Sequence, residues 1–166
     1  ICYSASSSAH KTVLAVYDDR QQMIYRWYSA SSYMPICAVS DGANLLAAIG
    51  LGQQDNAFLS SLYLFETTSE QHKLVVPLSN ELFYDLYFCT NDLLCAIGET
   101  SVWYINGSGE VIGKYSYNSQ YLKDHDAGGN GFLTLMLNMY RAGNRYTIET
   151  IDQSGQQIAS LYIGKE

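Results

Sequence analysis

The stretch Leu45-Leu46-Ala47-Ala48-Ile49-Gly50 recurs almost unchanged as Leu93-Leu94-Cys95-Ala96-Ile97-Gly98, 48 residues further along the chain. A looser copy at residues 132–137 begins 39 residues after the second one, and residues 1–4 fit an earlier copy about 45 residues before Leu46. Unequal spacings that average in the low forties are typical of repeated four-stranded units with loops of variable length. The repeat therefore indicates a modular architecture and carries little information on chemistry.

Around these copies, apolar residues alternate or run in short stretches broken by Gly, Asn, Asp and Ser, without the 3.6-residue period of a long helix. This pattern predicts an all-β chain in which each unit has four strands, A to D, and the repeated phrase is strand B. The predicted strands are A at 35–40, 82–90 and 120–126; B at 1–4, 45–50, 93–98 and 132–137; C at 12–17, 58–65, 101–105 and 145–151; D at 23–28, 73–78, 111–117 and 157–163.

Two families of turns support this register. Between strands C and D, Asn106-Gly107-Ser108-Gly109 matches Asp152-Gln153-Ser154-Gly155 at an offset of 46 residues, and residues 17–21 form a related turn. Between strands A and B, residues 40–42, 90–92 and 128–131 are rich in the Gly, Asn and Asp of compact hairpin turns. Pro77 falls in a D strand, which is acceptable only if strand D is the outer edge of its sheet.

The repeat predicts a β-propeller segment of about four four-stranded antiparallel blades, the first of which lacks its inner strand A. We expect one partial propeller over residues 1–166, with blades at about 1–30, 33–79, 81–118 and 120–164. Since closed rings usually need more than four blades, a homodimer or a missing remainder of the chain is expected to complete the ring. A β-sandwich would leave the repeated phrase unexplained.

The composition limits the classes of function. The 166 residues are 48% hydrophobic and 15% charged, as in a globular domain. The formal charge of −7 and nine scattered basic residues predict no nucleic-acid partner, because phosphate binding needs clustered Lys and Arg. The chain has neither a long apolar run nor a signal-peptide start, so we expect a soluble segment without membrane insertion, with any signal or anchor outside it.

The succession Asp85-Leu86-Tyr87-Phe88, residues 93–96, Val102-Trp103-Tyr104-Ile105-Asn106 and Gly109 resembles the blade consensus of WD40-like and quinoprotein-like β-propellers. The resemblance covers nearly the whole chain, but no Gly-His pair or Trp-Asp dipeptide closes a blade, and the repeated Trp motif of quinone-dependent dehydrogenases is missing. The chain is closest in character to bacterial extracytoplasmic propellers of unknown function that are Tyr-rich and membrane-tethered. This resemblance implies an extracellular or cell-surface location.

The densest polar cluster is Lys123-Asp124-His125-Asp126 in the last A strand, and alignment on strand B places Asp85 at the position of Asp124. On a strand, Asp124 and Asp126 point to one side and His125 to the other. Because A strands line the central channel, Asp85, Asp124 and Asp126 are candidate carboxylate ligands for Ca²⁺ or Mg²⁺. The structural alternative is that these side chains cap backbone amides in the glycine-rich turn between strands A and B or are solvated in the channel.

The four cysteines lack the Cys-x-x-Cys spacing of a zinc site, and the three histidines are far apart in sequence. Cys2 and Cys95 fall at the Ala47 position of the repeated phrase, where we expect a small apolar side chain between blades. Cys89 and Cys95 flank one hairpin and are a candidate disulfide, although bridges across a single short hairpin are uncommon.

No catalytic residue is predicted, because the sequence has no Gly-x-Ser-x-Gly motif and the glycine-rich residues 128–131 precede a strand rather than a helix. Two aromatic stretches, residues 25–33 and 115–121, are expected to pack between blades; if they face solvent, they suit protein or carbohydrate contact. The predicted function is a non-catalytic binding or interaction module without a cofactor. The alternative is a propeller hydrolase or lyase with a divalent metal in the channel.

Overall fold

The computed structural model describes residues 1–70, 72–128, 131–139 and 145–164. Fifteen strands follow one another along these residues. They are β1 Cys2–Ala5, β2 Thr12–Tyr17, β3 Met23–Ser29, β4 Tyr33–Val39, β5 Leu45–Gln54, β6 Ala57–Glu66, β7 His72–Ser79, β8 Phe83–Thr90, β9 Leu93–Gly98, β10 Ser101–Asn106, β11 Val111–Ser116, β12 Gln120–Ala127, β13 Leu133–Met139, β14 Tyr146–Ile151 and β15 Gln157–Ile163. No helix within the described residues is long and apolar enough to cross a bilayer.

The strands form four separate antiparallel sheets, which are the blades of a β-propeller segment. Blade 1 is β1-β2-β3, blade 2 is β4-β5-β6-β7, blade 3 is β8-β9-β10-β11 and blade 4 is β12-β13-β14-β15. The predicted fold class, including the absence of an inner strand from blade 1, is confirmed. Pro77 lies on β7, which pairs only with β6 and is therefore the outer edge of blade 2, where a missing amide donor is tolerated.

Three apolar clusters hold successive blades together, one at each joint. Leu14, Val16 and Tyr25 of blade 1 pack on Met34, Leu46, Ala48 and Phe65 of blade 2. Blade 2 uses the other side of its sheet, including Ile49 and Leu64, against Leu86, Leu94 and Ile105 of blade 3. Blade 3 in turn packs Cys95, Ile97 and Tyr104 against the leucines of β13. The near-continuous apolar character of strand B follows from this burial on both faces.

The strand registers show which residues are equivalent in successive blades. Ile36 pairs with Ile49, Asp85 with Ile97, and Asp124 with Met136, and a register shift precedes each of the three inner-strand residues. One position further on, Cys37, Leu86 and His125 are likewise equivalent, since they pair with Ala48, Ala96 and Leu135. The equivalence of Asp85 and Asp124 expected from the repeat is therefore present in the backbone pairing.

Candidate functional site

The inner strands of blades 3 and 4 are joined by a polar contact between Asp85 and His125. Asp85 Oδ2 lies 2.9 Å from His125 Nε2, while Asp85 Oδ1 accepts a hydrogen bond from the amide of Leu86. Asp124 repeats the second interaction, because its Oδ1 accepts from the amide of His125 at 2.9 Å. Each carboxylate thus caps the amide of the next residue within strand A, and Asp85 also reaches the neighbouring blade.

Asp85, Asp124 and Asp126 are not brought together. Asp85 faces blade 4 and its His125, whereas Asp124 and Asp126 lie on the opposite, free face of blade 4. No three His, Cys, Asp or Glu side chains are placed to share a metal ion anywhere in residues 1–70, 72–128, 131–139 and 145–164. The candidate Ca²⁺ or Mg²⁺ ligands therefore form no common cluster in this chain.

The free face of blade 4 is built like a surface between blades. Asp124 lies opposite Met136, Met136 opposite Ile148, and Ile148 opposite Leu161, so these side chains share one side of the sheet. A shallow recess of about 170 Å³ is lined there by residues that include Asp124, Met136 and Ile148. In blade 3, the equivalents of Asp124 and Met136 are Asp85 and Ile97, which face blade 4.

Repeated hydroxyl contacts hold the crossings from strand D to the next strand A. Thr12 and Ser60, at equivalent positions of strand C, donate to the carbonyls of Ser32 at 2.9 Å and Glu81 at 2.8 Å. The hydroxyls of Ser29 and Ser79, at the ends of strands D, accept from amides in the same crossings. This family of contacts was not predicted from the sequence, although Ser or Thr recurs at these strand ends.

The second crossing contains the buried carboxylate of Glu81. Its oxygens accept hydrogen bonds from the amide of Thr100 at 2.7 Å, the hydroxyl of Thr100 at 2.6 Å, and Ser101 at 2.6 Å, with Ser79 at 3.3 Å. Burial alone would raise the pKa of Glu81, but the hydrogen bonds from Ser101, Thr100 and Ser79 outweigh it and hold the pKa below its usual value. The network ties the end of blade 2 to blade 3, and its satisfied donors give it a structural role.

An exposed row of large side chains lies at the start of strand A in three successive blades. The three residues are Tyr33, Leu82 and Tyr121. They are equivalent because Tyr33 opposes Leu51, the carbonyl of Leu82 accepts from the amide of Glu99, and Tyr121 opposes Asn138, at the same place after strand B's repeated phrase. Their exposed fractions are 50%, 44% and 49%. We call Tyr33, Leu82 and Tyr121 the rim row. An open recess of about 510 Å³, lined by Tyr33 and residues 6–11, adjoins its first member.

In each of the two aromatic stretches, some side chains are buried between blades and others face solvent. Tyr25 and Tyr117 are buried in joints between blades, as expected. Tyr28 is exposed and stacks at 4.7 Å on His10. Tyr33 and Tyr121 belong to the rim row, so the solvent-facing alternative holds for part of each stretch.

The cysteines form two neighbouring pairs of free thiols. Cys2 and Cys37 lie across the joint between blades 1 and 2, with their sulfur atoms 3.4 Å apart. Cys89 and Cys95, the candidate disulfide of the sequence analysis, share the β8–β9 hairpin, and Cys95 is fully buried. Cys95 faces blade 4, while Cys2 faces blade 2, so both occupy the interface position expected from the repeat.

Comparison with known proteins identifies the fold. The chain matches hydrazine synthase from Kuenenia stuttgartiensis with a TM-score of 0.64 and 11% identity, over 92% of this chain and 43% of that one. It matches BamB from Moraxella catarrhalis with a TM-score of 0.61 and 12% identity, over 95% of this chain and 47% of that one. No protein-family model and no curated protein sequence matches. The chain is a β-propeller segment and spans less than half the length of either similar structure.

Proposed function

We propose that this chain is a non-catalytic module of a larger β-propeller and that it binds a protein ligand on the rim row. The observation that carries the proposal is the repetition of an exposed Tyr, Leu or Tyr at one position of three successive inner strands. A single exposed apolar side chain is ordinary, but an aligned set at equivalent positions of neighbouring blades offers a ligand several anchors.

The chemistry of the rim row favours protein over carbohydrate. Tyr33 and Tyr121 supply rigid apolar faces with polar tips, which are typical of energetically dominant positions in protein interfaces. Leu82, between them, has no flat ring for a sugar to stack on, and Tyr84 beside it is 53% exposed. The recess lined by residues 6–11 adds Ser, His and Lys side chains at one end. This combination of apolar anchors with a polar margin is that of a protein-binding surface.

The first prediction tests this surface with a defined probe. Peptides selected from a random 12-residue display library against the purified chain are expected to bind the rim row. Replacing Tyr33 and Tyr121 together with alanine should weaken their binding at least about tenfold, the loss of two interface anchors. The measurement is titration calorimetry or fluorescence anisotropy with the selected peptides.

The control is Tyr162→Ala, which removes an equally exposed tyrosine from the outer strand β15 and should leave the affinity within about twofold. Equal losses in the control and the rim variant would contradict the proposed location. A glycan array that binds the chain through the rim row, without any peptide that does so, would show a carbohydrate ligand instead.

We also propose that a further propeller blade covers the free face of blade 4 in the assembled protein. Asp124 and Met136 repeat the positions of Asp85 and Ile97, which meet blade 4 across the preceding joint. Leu161 on the same face is 60% exposed. The source of the blade is either a second copy of the chain or further residues of a longer one, and both sources would extend the ring.

Self-association of the isolated chain provides a second prediction. At about 100 µM the chain should scatter light with a mass above the 18.5 kDa of a monomer, because the exposed apolar side chains of this face, Leu161 among them, favour contact with a second copy. Leu161→Lys should restore the monomer mass while leaving Tm within about 2 °C, as expected for an exposed site. The neighbouring Tyr162 opposes Thr147, on the other side of the sheet, and Tyr162→Lys is the matched control. A monomer at every concentration would rule out a second copy, and equal effects of the two variants would contradict the use of this face.

The positions of Asp85, Asp124 and Asp126 do not support the alternative of a metal-dependent hydrolase or lyase. Asp85 contacts His125 on one side of β12, whereas Asp124 and Asp126 lie on the other side. We therefore propose no reaction. The extracellular or cell-surface location implied by the resemblance to bacterial extracytoplasmic propellers stays a prediction.

A further inference from the structure

The joint between blades 1 and 2 differs in its chemistry from the other two joints. On strand B, the equivalent residues of blades 1 to 3 are Cys2, Ala47 and Cys95, and each faces the following blade. The following blades present residues at one equivalent position of strand A, which are Cys37, Leu86 and His125 respectively. The second joint is apolar at this place, since Ala47 and Leu86 belong to one cluster. The third uses the contact of Asp85 with His125. Only at the first joint do these facing positions both carry thiols.

At the first joint, β1 of blade 1 lies directly against β4 of blade 2. Within the described residues, β1 pairs with β2 alone. Ser4 lies two residues after Cys2 on β1, and its hydroxyl donates to the carbonyl of Met34 on β4. The amide of Met34 donates to the hydroxyl of Thr12 at 2.9 Å. These bonds fix the two strands beside each other and hold the cysteines in place.

We propose that Cys2 and Cys37 form a disulfide bond that fastens blade 1 to blade 2 under oxidising conditions. The sulfur atoms, 3.4 Å apart, need to approach by only about 1.4 Å to reach the length of a disulfide, a movement within reach of small side-chain rotations. Both thiols are only partly buried, so a small disulfide reagent can reach them.

The reaction is a two-step thiol–disulfide exchange with a small disulfide such as oxidised glutathione. The thiolate of Cys2 attacks one glutathione sulfur, which forms a mixed disulfide and releases one glutathione thiolate. The thiolate of Cys37 then attacks the Cys2 sulfur and releases the second glutathione. Two protein thiols are oxidised, one glutathione disulfide is reduced to two thiols, and the two protons pass to the glutathione thiolates through solvent.

The electrostatics of the pair agree with this order of events. A hydrogen bond from Cys37 lowers the pKa of Cys2 against the opposing effect of burial, and the same hydrogen bond raises the pKa of Cys37. Cys2 is thus the thiol that ionises first and attacks first. A hydrogen bond from Cys95 lowers the pKa of Cys89 in the same way, but Cys95 itself is fully buried and burial raises its pKa, so closure of the bond by Cys95 should be slow.

Tryptic peptide mapping separates the two cysteine pairs within one digest. Cleavage after Lys11, Arg26, Lys73 and Lys114 places Cys2 in residues 1–11 and Cys37 in residues 27–73, whereas Cys89 and Cys95 share residues 74–114. After incubation of the folded chain with oxidised glutathione and alkylation of the remaining thiols in denaturant, the expected product is a reducible cross-link between 1–11 and 27–73. Residues 74–114 should carry two alkyl groups.

The bond closes a loop of about 36 residues, so the oxidised chain should melt at least about 5 °C above the reduced one. Cys37→Ser should abolish both the cross-linked peptide and this difference in Tm, while Cys89→Ser should abolish neither. If the folded wild-type chain yields no 1–11 to 27–73 cross-link, or if 74–114 is oxidised in its place, the proposal is wrong. Because this mapping uses the wild-type chain, it does not depend on the folding of a variant.

Discussion

Glu81→Ala is expected to lower the free energy of unfolding by about 2–3 kcal/mol, because it leaves the buried hydroxyl of Ser101 and the partly buried donors of Thr100 without their acceptor. The carboxylate accepts from the amide and hydroxyl of Thr100 and from Ser101, all within 2.7 Å, and water has little access to replace it. Urea denaturation followed by circular dichroism measures the change. Glu99→Ala is the control, since it removes an exposed carboxylate next to Thr100, leaves the bonds to Glu81 in place and should cost less than about 0.5 kcal/mol.

The pH dependence of the same site follows from its lowered pKa. A carboxyl whose pKa is lower in the folded state than in the unfolded state stabilises the fold above the unfolded pKa, and this contribution is lost as the pH falls through the folded pKa. Glu81→Gln should therefore destabilise the chain more at pH 7 than at a pH below the folded pKa of Glu81, where the wild-type carboxyl is also neutral. A difference that is the same at both pH values would contradict the ionised network.

The architecture could be predicted closely because it depends on local patterns. β9 was predicted at its observed bounds, since its repeated phrase is enclosed by two turns that leave no freedom at either end. β5 was predicted to end at Gly50 but continues to Gln54, because Asp55 and Asn56 adopt positive φ values of 51° and 64° and form a two-residue hairpin turn. The strand end was predicted from the length of the repeated phrase, although the pair Asp55-Asn56 is itself typical of a two-residue hairpin turn.

The candidate site could be predicted only in part, because contacts between blades join non-equivalent positions. Asp85 and Asp124 are equivalent, as the alignment predicted, and for that reason both face the following blade and cannot face each other. The partner of Asp85 is instead His125, one residue beyond the equivalent position. The pairing of Cys2 with Cys37 was missed for the same reason. A repeat alignment matches equivalent positions of different blades, whereas the contacts across a joint are made between non-equivalent positions.

Gly155→Ala is expected to destabilise the chain by about 3–4 kcal/mol, because it combines backbone strain with a collision between blades. Gly155 has a φ of +77°, in the left-handed region that favours glycine. An added Cβ would lie 2.8 Å from the backbone nitrogen of Lys114 on β11, and backbone cannot move aside as a side chain can. Blade 4 should therefore loosen from blade 3, and hydrogen exchange of β12 to β15 should accelerate more than that of β4 to β7.

Gly109→Ala separates the two causes. Gly109 occupies the same place in the preceding turn, with the same pattern of hydrogen bonds and a φ of +84°, so both variants carry similar backbone strain. Its added Cβ would meet the side chains of Leu74 and Val76, which can rotate away, and the expected cost is about 1–2 kcal/mol. Gln21, at the equivalent place in blade 1, adopts a φ of 61° as a non-glycine residue, which shows that the turn itself accepts a side chain. Equal losses in the two glycine variants would mean that strain within the turn, and not close packing of blade 4 on blade 3, determines the effect.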